Sequence, residues 1–447
     1  MKLPILLIAL VAMVAAKSAP GRMAVRYDNF RIYQLTIETK LQMEELKKIH
    51  EHISVHFLND LGAPGHKYNV IVGPLFHRVF EKTMRFLEIV YDVIVEDLQK
   101  LIDDASVGDD SQMEWETYHT LDTIYDWVDQ ECAAHEDFLD CRVIGKSYEG
   151  REIKSVRLSK RPGNKAIFLE GNIHAMEWIS SATVTFLLNQ LINSEDPEMQ
   201  RLSEEYDWIV VPMVNPDGFV YTHEVERLWR KNRRPNGYRN DTGDCYGIDM
   251  NRNFDYHWGG AGWNIDEPCD HWFGGEEPNT EVEIVSLQNF VSSFEDGYIR
   301  SYMAYHAYGQ YVLLPYGHSN TEFPPNYEQM KRIAAAFSDA AADVYGSAFT
   351  YGASGLLNYV VSGAAKDWAY GVKKIPFTCT VELRDKGTFG FFLPSNQITE
   401  VGLEVTAGLK ALVNKAERRA FSLKCFIFIN LKADAVNSKY KKLYSFI

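Results

Sequence analysis

The stretch Ala166-Ile-Phe-Leu-Glu-Gly-Asn172, followed by Ile173-His174-Ala-Met-Glu177-Trp178, decides the fold of this chain. Its first part is an apolar run of strand length, and residues 180–192 behind it have the apolar spacing of a helix. His174 and Glu177 therefore lie between a strand and a helix. In sheets with parallel strands, ligands bind beyond the carboxyl ends of the strands, so this junction is a candidate functional site.

The same alternation of helices and apolar strands continues on both sides of this junction. Helical spacing recurs in residues 121–132, 326–345 and 397–414, and strand-like runs recur in residues 208–214, 302–304 and 375–382. The pattern predicts a large α/β domain on a mostly parallel or mixed sheet.

The N-terminal part has a different order of elements. Strand-like and helical stretches alternate as βαββαβ, at residues 30–37, 41–50, 53–58, 68–72, 75–87 and 89–95. That order predicts a small α+β domain of the ferredoxin-like type. The polar, turn-rich residues 106–111 are typical of a linker to the larger domain.

The composition is that of a soluble globular protein, with 447 residues of which 46% are hydrophobic and 24% charged. The net charge of −15 argues against nucleic acid as a partner, because an acidic surface repels a phosphate backbone. An anionic ligand must therefore bind at a local basic site. The cluster of residues 227–234, with Asn251 and Arg252 shortly after it, offers guanidinium groups that can hold a carboxylate. The ordinary alternative is a solvated charged surface.

Residues 1–16 have the charged start, apolar run and small final residues of a secretory signal peptide. A membrane anchor is the alternative, but the run is shorter than the ~20 residues that span a bilayer, and no later run reaches that length. We therefore expect a secreted, extracellular protein with no stable membrane association. In an oxidising compartment its six cysteines could form up to three disulfides.

Two imidazoles and one carboxylate lie where they could form a metal site. His306 ends an apolar run, and with His174 and Glu177 it completes the ligand set of a catalytic zinc ion. The alternative is that both histidines are ordinary hydrogen-bonded residues at strand ends. A second His-x-x-Glu pair, His223 and Glu226, shows how weak that spacing is by itself.

Glu382 also ends a strand-like run, residues 377–381. A carboxylate beside a zinc-activated water can take up its proton and pass it to a leaving amine. The alternative is an ion pair with the neighbouring Arg384.

Taken together, the chain resembles the zinc metallocarboxypeptidases of the carboxypeptidase A and B type, which are made as secreted proenzymes. The resemblance covers residues 28–419 and rests on separated motifs: Thr117-Tyr-His-Thr-Leu121, Gly171-Asn-Ile-His-Ala-Met-Glu-Trp178, Asn215-Pro-Asp-Gly218, Arg227-Leu-Trp-Arg-Lys-Asn-Arg233, Asp249-Met-Asn-Arg-Asn253, His306-Ala-Tyr308, Pro315-Tyr-Gly317 and Glu382-Leu-Arg-Asp385. It implies a mixed eight-stranded sheet flanked by helices, with an N-terminal ferredoxin-like propeptide domain. The expected parts are a signal peptide (1–16), an activation propeptide (17–110), a catalytic domain (111–419) and a C-terminal extension of unknown role (420–447).

The resemblance also implies a role for individual residues. The implied zinc ligands are His174, Glu177 and His306, with one Zn²⁺ per chain, and Asp249 orients a ligand imidazole. Glu382 is the implied general base, and Arg230 polarises the scissile carbonyl. Asn251, Arg252 and Tyr359 grip the terminal carboxylate of the peptide, and Cys245 and Cys269 form a disulfide. The implied activity is removal of the C-terminal residue from peptides or proteins.

Lys366 occupies the position where this family places its specificity residue, in Val361-Ser-Gly-Ala-Ala-Lys366-Asp367-Trp368. A lysine at the floor of the pocket would pair with an acidic side chain and repel a basic one, which predicts a preference for C-terminal Glu or Asp. The alternative is that Lys366 points aside to Asp367 and the pocket takes apolar or aromatic residues. Met176 also departs from the family, which usually has an arginine there.

Activation is a second departure. No Lys or Arg lies between Lys100 and Arg142, so an activating protease of trypsin-like specificity would have to cut at Lys100, or another protease acts near Asp109. A different class of function, a non-catalytic secreted peptide-binding relative, stands as the alternative to an enzyme. The intact set of site residues makes it the weaker interpretation.

Overall fold

The computed structural model describes residues 24–52, 55–58, 64–105, 108, 112–240, 243–262 and 267–416. The expected signal peptide, the C-terminal extension and nearly all of the expected linker lie outside these residues. In the ranges that are described, no helix is both long enough and apolar enough to cross a membrane.

The N-terminal unit has the predicted βαββαβ order, which confirms the ferredoxin-like interpretation. Its elements are β1 (Arg31–Thr36), α1 (Lys40–His52), β2 (Val55–Phe57), β3 (Lys67–Val72), α2 (His77–Phe86), β4 (Val90–Val95) and a final helix, α3 (Leu98–Asp104). The strands pair antiparallel in the order β2-β3-β1-β4. Alternate side chains of β1, Tyr33 and Leu35, pack against Phe80 and Met84 of α2, so one face of the sheet is covered by helices.

The larger domain alternates helices and strands. Its elements are α4 (Leu121–Ala134), β5 (Leu139–Lys146), β6 (Glu152–Leu158), β7 (Lys165–Gly171), α5 (Trp178–Asn193), α6 (Pro197–Glu205), β8 (Tyr206–Val211), α7 (Pro216–Glu224), β9 (Pro235–Asn240), β10 (Gly243–Tyr246), α8 (Val282–Ser292), β11 (Ile299–His306), β12 (Tyr311–Leu314), α9 (Tyr327–Tyr345), β13 (Thr350–Ala353), α10 (Ser354–Leu357), α11 (Ala365–Gly371), β14 (Phe377–Glu382) and α12 (398–416).

Eight of these strands form the predicted mixed sheet, in the order β13-β12-β14-β11-β7-β8-β6-β5. The central strands β14, β11, β7 and β8 are parallel, so their carboxyl ends meet at one edge. Both faces of these strands are buried, since one core cluster lies on each side of the sheet. This explains why they read as continuous apolar runs. The polar residues of the site lie at this edge, at or just after the carboxyl ends of the strands.

Two disulfides are present among the described residues, Cys132–Cys141 and Cys245–Cys269, and Cys379 is a buried thiol. The first bridge joins α4 to β5. The second closes the segment that follows β10, which lies beside the site. Cys425 belongs to the undescribed C-terminal residues.

The N-terminal unit lies directly on the larger domain. The hydroxyl of Tyr27 donates to Glu226 at 2.6 Å, and the amide of Asn69 donates to the Gly387 carbonyl at 2.8 Å. A small apolar cluster joins Ile32, Ile71 and Leu98 of the N-terminal unit to Leu228 and Phe392 of the larger domain. Glu226 therefore binds the N-terminal unit and is not a metal ligand in a pair with His223.

Glu170 is a fully buried carboxyl group inside the sheet. Its Oε2 accepts a hydrogen bond of 2.5 Å from the Tyr302 hydroxyl, and its Oε1 has no partner among the described residues. Burial raises the pKa of Glu170 to about 7, although the hydrogen bond from Tyr302 acts in the opposite direction. The native protein therefore keeps a proton on Glu170 at pH values where the unfolded chain has released it.

We expect Glu170→Gln to flatten the pH dependence of stability. Between pH 4.5 and about 7 the native state binds more protons at this site than the unfolded chain, so wild-type stability falls as pH rises through that window, by up to ~3 kcal/mol. Glutamine keeps an acceptor for Tyr302 without the ionisation. Urea unfolding at pH 5 and pH 8 gives the free energy of unfolding of both proteins. Relative to the wild type, the variant should be more stable at pH 8 than at pH 5. Parallel pH profiles for the two proteins would contradict this expectation.

Candidate active site

The turn after β7 carries two residues of the predicted metal group. Asn172 has a left-handed backbone (φ 55°), which asparagine tolerates better than most residues, and its amide donates to the carbonyls of Ala175 and Glu177. This turn brings the side chains of His174 and Glu177 to the same side, just before α5 begins.

His174, Glu177 and His306 converge at the carboxyl ends of β7 and β11. The Nδ1 atom of His174 is 2.8 Å from Oε1 of Glu177, Nδ1 of His306 is 3.1 Å from Oε2 of Glu177, and the two Nδ1 atoms are 3.1 Å apart. All three side chains are buried. Among the described residues this is the only cluster of His, Cys, Asp or Glu close enough to hold a metal ion.

The chemistry of this group fits zinc. Tetrahedral ligands at 2.0–2.1 Å from Zn²⁺ are separated by about 3.3 Å, close to the distances between these atoms. Burial lowers the pKa of His306, which favours the neutral imidazole that binds metals. Burial alone would raise the pKa of Glu177, but His174 and His306 outweigh it and lower that pKa, so the carboxylate is ionised.

Asp249 lies behind the metal group. Its Oδ1 is 3.2 Å from Nε2 of His174, and its Oδ2 accepts from Nε of Arg230 at 3.0 Å. Burial would raise the pKa of Asp249, but Arg230, Arg252 and His174 together lower it well below its usual range. An ionised acceptor on Nε2 fixes the tautomer that turns Nδ1 of His174 toward the metal group.

Glu382 is the last residue of β14 and is in register with His306, the last residue of β11. Burial and the nearby Glu177 raise its pKa, while Arg230 lowers it less strongly. The alternative of an ion pair with Arg384 does not hold, because the Arg384 guanidinium binds Glu404 at 2.7 Å and Glu400 at 2.6 Å. Glu382 instead faces the cavity of the site.

The predicted carboxylate-binding residues follow β10. Asp249 caps the short 3-10 turn Met250–Arg252 by accepting from the backbone N–H of Asn251 at 2.9 Å. The Arg252 guanidinium donates to the Gly262 carbonyl at 2.8 Å and to the Tyr359 hydroxyl at 3.1 Å. Asn251, Arg252 and Tyr359 all line the same cavity as Glu382.

Lys366 lies near the start of α11, is 3% exposed and lines the cavity. Its Nζ is 3.7 Å from Oδ1 of Asp367, too far for a hydrogen bond. The other Asp367 oxygen accepts from the backbone N–H groups of Gly317 at 2.7 Å and His318 at 3.2 Å. Lys366 thus faces the cavity, as the prediction of an acidic preference requires. It also has Asp367 as a neighbour, as the alternative requires.

The cavity has a volume of about 340 Å³. Leu58, His66, Lys67 and Tyr68 of the N-terminal unit form part of its wall. The N-terminal unit therefore covers the site while leaving space beneath it.

The basic side chains of residues 227–234 do not form one shared charged surface. Of its four arginines, only Arg230 lines the cavity. Arg227 is buried and donates to the carbonyls of Met176 and Phe391, at 2.8 Å each. Arg233 packs over the ring of Tyr221.

Several residues of the site were not predicted as such. Tyr308 and Phe391, with ring centroids 4.9 Å apart, form one wall, and Trp272 forms another. Asn215 donates from its side chain to the carbonyls of Ile173 and Lys231, which ties the metal-binding turn to the segment before Asp249. Tyr308 and Asn215 belong to the motifs His306-Ala-Tyr308 and Asn215-Pro-Asp-Gly218, so the motifs could have identified them as site residues. No sequence motif points to Trp272.

A mixed α/β sheet whose parallel central strands end at two imidazoles and a carboxylate is typical of a zinc hydrolase, here with a covering N-terminal unit. The family model for zinc carboxypeptidases matches residues 124–408, and the model for the carboxypeptidase activation peptide matches residues 33–105. The chain belongs to the zinc carboxypeptidase family.

Individual relatives agree with this assignment. The chain is 36% identical to zinc carboxypeptidase A 1 of Anopheles gambiae, over 92% of this chain and 95% of that protein. It is 35% identical to carboxypeptidase B of Astacus astacus, over 68% of this chain and 98% of that protein. The crystal structure of thrombin-activatable fibrinolysis inhibitor superposes with a TM-score of 0.80 at 25% identity, over 87% of this chain and 98% of that chain. The protein is therefore a metallocarboxypeptidase proenzyme with zinc as its cofactor.

Proposed function

We propose that this proenzyme yields a carboxypeptidase that removes acidic residues from the C-termini of peptides. The observation that carries the proposal is a single cavity whose wall holds the metal group, Glu382, the carboxylate-binding residues and Lys366. Each of these has a separate task in the reaction.

Bond cleavage needs a base, an acid and a group that stabilises negative charge. Zinc, when bound by His174, Glu177 and His306, supplies Lewis acidity toward water and the scissile carbonyl. Glu382 takes the proton of the attacking water and delivers it to the leaving amine. Arg230, held by Asp249, donates to the oxygen that becomes negative in the transition state.

Exopeptidase action requires recognition of a free carboxylate. Arg252 and Asn251 bind that carboxylate, and Tyr359, already hydrogen-bonded to Arg252, completes the binding site. An internal peptide segment has no terminal carboxylate to offer these groups.

The acidic preference is supported by the hydrogen bonding of Asp367. Because its Oδ2 accepts from two backbone N–H groups and its Oδ1 is 3.7 Å from Lys366, the Lys366 ammonium keeps donors for a ligand. A substrate carboxylate that reaches Lys366 replaces a distant partner with a close one. An aromatic side chain would leave the buried ammonium with no close partner, which is costly.

Zymogen organisation follows from the N-terminal unit. Residues 17–110 serve as the activation propeptide, which blocks peptides from the cavity until a protease cuts at Lys100 or near Asp109. Residues 1–16 direct the chain to secretion, and residues 111–419 form the catalytic domain. The free C-termini of peptides or proteins are its substrates.

Peptides that differ only in their last residue test this proposal. The full-length zinc-loaded proenzyme, activated by limited proteolysis, should release single residues from a peptide ending in Glu much faster than from one ending in Phe or Arg. The same Glu peptide with an amidated C-terminus should not be cut. Fast release of Phe or Arg with an inert Glu peptide would overturn the acidic preference, and cleavage of the amide would overturn the role of the carboxylate-binding residues.

A further inference from the structure

The wall of the cavity carries more positive charge than terminal-residue recognition uses. In the larger domain, its cationic side chains are Arg230, Arg252, Lys366 and Lys386, and its acidic ones are Glu177 and Glu382. On a chain of net charge −15, this is a local reversal of sign. Lys386 has no part in the reaction proposed above.

Lys386 stands on a short loop that is held in place from within. Both carboxylate oxygens of Asp385 accept backbone N–H groups, from Gly387, Phe389 and Gly390, at 2.9 Å each. The neighbouring carboxylate is thus occupied by the backbone. In the part of the chain that the structure describes, the Lys386 ammonium has no hydrogen-bond or ion-pair partner, and the residue is exposed.

This loop lies against Tyr308, two residues after the metal-binding His306. A Cβ atom on Gly390 would be 3.0 Å from the Tyr308 ring, and one on Gly387 would be 3.5 Å from it. Phe391, at the end of the loop, packs on the same ring. The loop therefore forms the wall next to Tyr308, while Lys366 packs near Gly317 at another part of the cavity.

The direction of a bound peptide follows from these positions. Its terminal carboxylate is at Arg252, its last side chain reaches Lys366, and its scissile bond is beside Glu382. The residues before the scissile bond then lie against lining that the last residue does not use. That lining includes Tyr308, Phe391 and Lys386 on one wall and Trp272 on another.

We propose that Lys386 selects substrates with an acidic side chain upstream of the scissile bond, so that the substrate class is peptides that are acidic on both sides of that bond. The inference rests on the carboxypeptidase reaction proposed above. The loop holds the backbone of Lys386 at the cavity wall, and the ammonium has no ion-pair partner in the described chain. An exposed ion pair of this kind is worth a few-fold in kcat/KM and weakens as salt is added.

Blocked peptides with a constant last residue test this inference. The enzyme is obtained by activating the full-length zinc-loaded proenzyme. The last residue of each peptide is Glu or Phe, whichever this enzyme releases faster. The residue before it is Glu, Gln or Lys. At low salt we expect kcat/KM for Glu to exceed that for Gln by about 3- to 5-fold, with Lys slower than both. The Glu-to-Gln ratio should fall toward one in 0.5 M NaCl.

Variants distinguish the effect of the Lys386 charge from that of the overall electrostatic field of the protein. Lys386→Gln should bring the ratio to about one at low salt, and Lys386→Glu should invert it, because each ratio compares two peptides on the same variant. Lys331→Gln, an exposed lysine of α9 outside the cavity wall, should keep the wild-type ratio. A wild-type ratio of one, or a ratio that survives Lys386→Gln, overturns the inference. Release from the Gln peptide in the same assay shows that the carboxypeptidase reaction itself stands.

Discussion

Glu382→Gln is expected to lower the release of C-terminal residues by about 10²- to 10⁴-fold, the usual contribution of a positioned acid or base. Glutamine has nearly the shape of glutamate but cannot take a proton from water or return one to an amine. Because Glu382 is not one of the three converging side chains that could hold a metal ion, the zinc content should stay at one ion per chain.

Turnover of a Glu-ending peptide and zinc content, measured on the same preparation, check this result. Glu328→Gln, which changes an exposed carboxylate in the first turn of α9, is the matched control and should leave both quantities unchanged. Full activity of Glu382→Gln would assign the base to another residue. Loss of zinc would assign Glu382 to the metal group instead.

Lys366→Met is expected to change the ratio of Glu release to Phe release by about 100-fold, in favour of Phe. Removing one partner of a buried charge pair costs about 2–5 kcal/mol, and each 1.4 kcal/mol is tenfold. Methionine fills a similar volume without charge and leaves the substrate carboxylate in an apolar site. Lys366→Arg keeps the positive charge and should retain a preference for Glu.

Relative kcat/KM values for the two peptides, taken from one mixture, give this ratio directly. Thermal unfolding of each variant shows whether the pocket has stayed folded, since Asp367 loses its buried neighbour in Lys366→Met. If wild type and Lys366→Met have the same ratio, Lys366 does not set specificity.

The strong apolar runs were sufficient to predict the central sheet. β7, β8, β11 and β14 are buried on both faces, so each appears in the sequence as an uninterrupted apolar stretch. The edge strand β5 was missed because most of its side chains are half-buried or exposed. Strands β12 and β13 have four residues each, which is too short for periodicity to be recognised.

The residues of the site also differ in whether the sequence could predict them. Residues at strand ends, such as His306 and Glu382, could be predicted because an apolar run points to them. The surroundings of Lys366 could not, since Asp367 is held by the backbone of Gly317 and His318, 50 and 49 residues away in the chain. The basic cluster was misleading for a related reason: whether an arginine faces a cavity or a carbonyl depends on distant loops, and Arg227 reaches the carbonyl of Phe391.

The shared register of His306 and Glu382 has a consequence for how this protein can change over evolutionary time. Their separation is set by the hydrogen-bond ladder between two central strands, whereas Lys366 and Lys386 stand on a short helix and a loop outside that ladder. Mutation at the two lysines can therefore change the charge of the cavity wall without altering the distance between Glu382 and His306. Changes in the cavity wall can accumulate around strand ends whose spacing the sheet keeps constant.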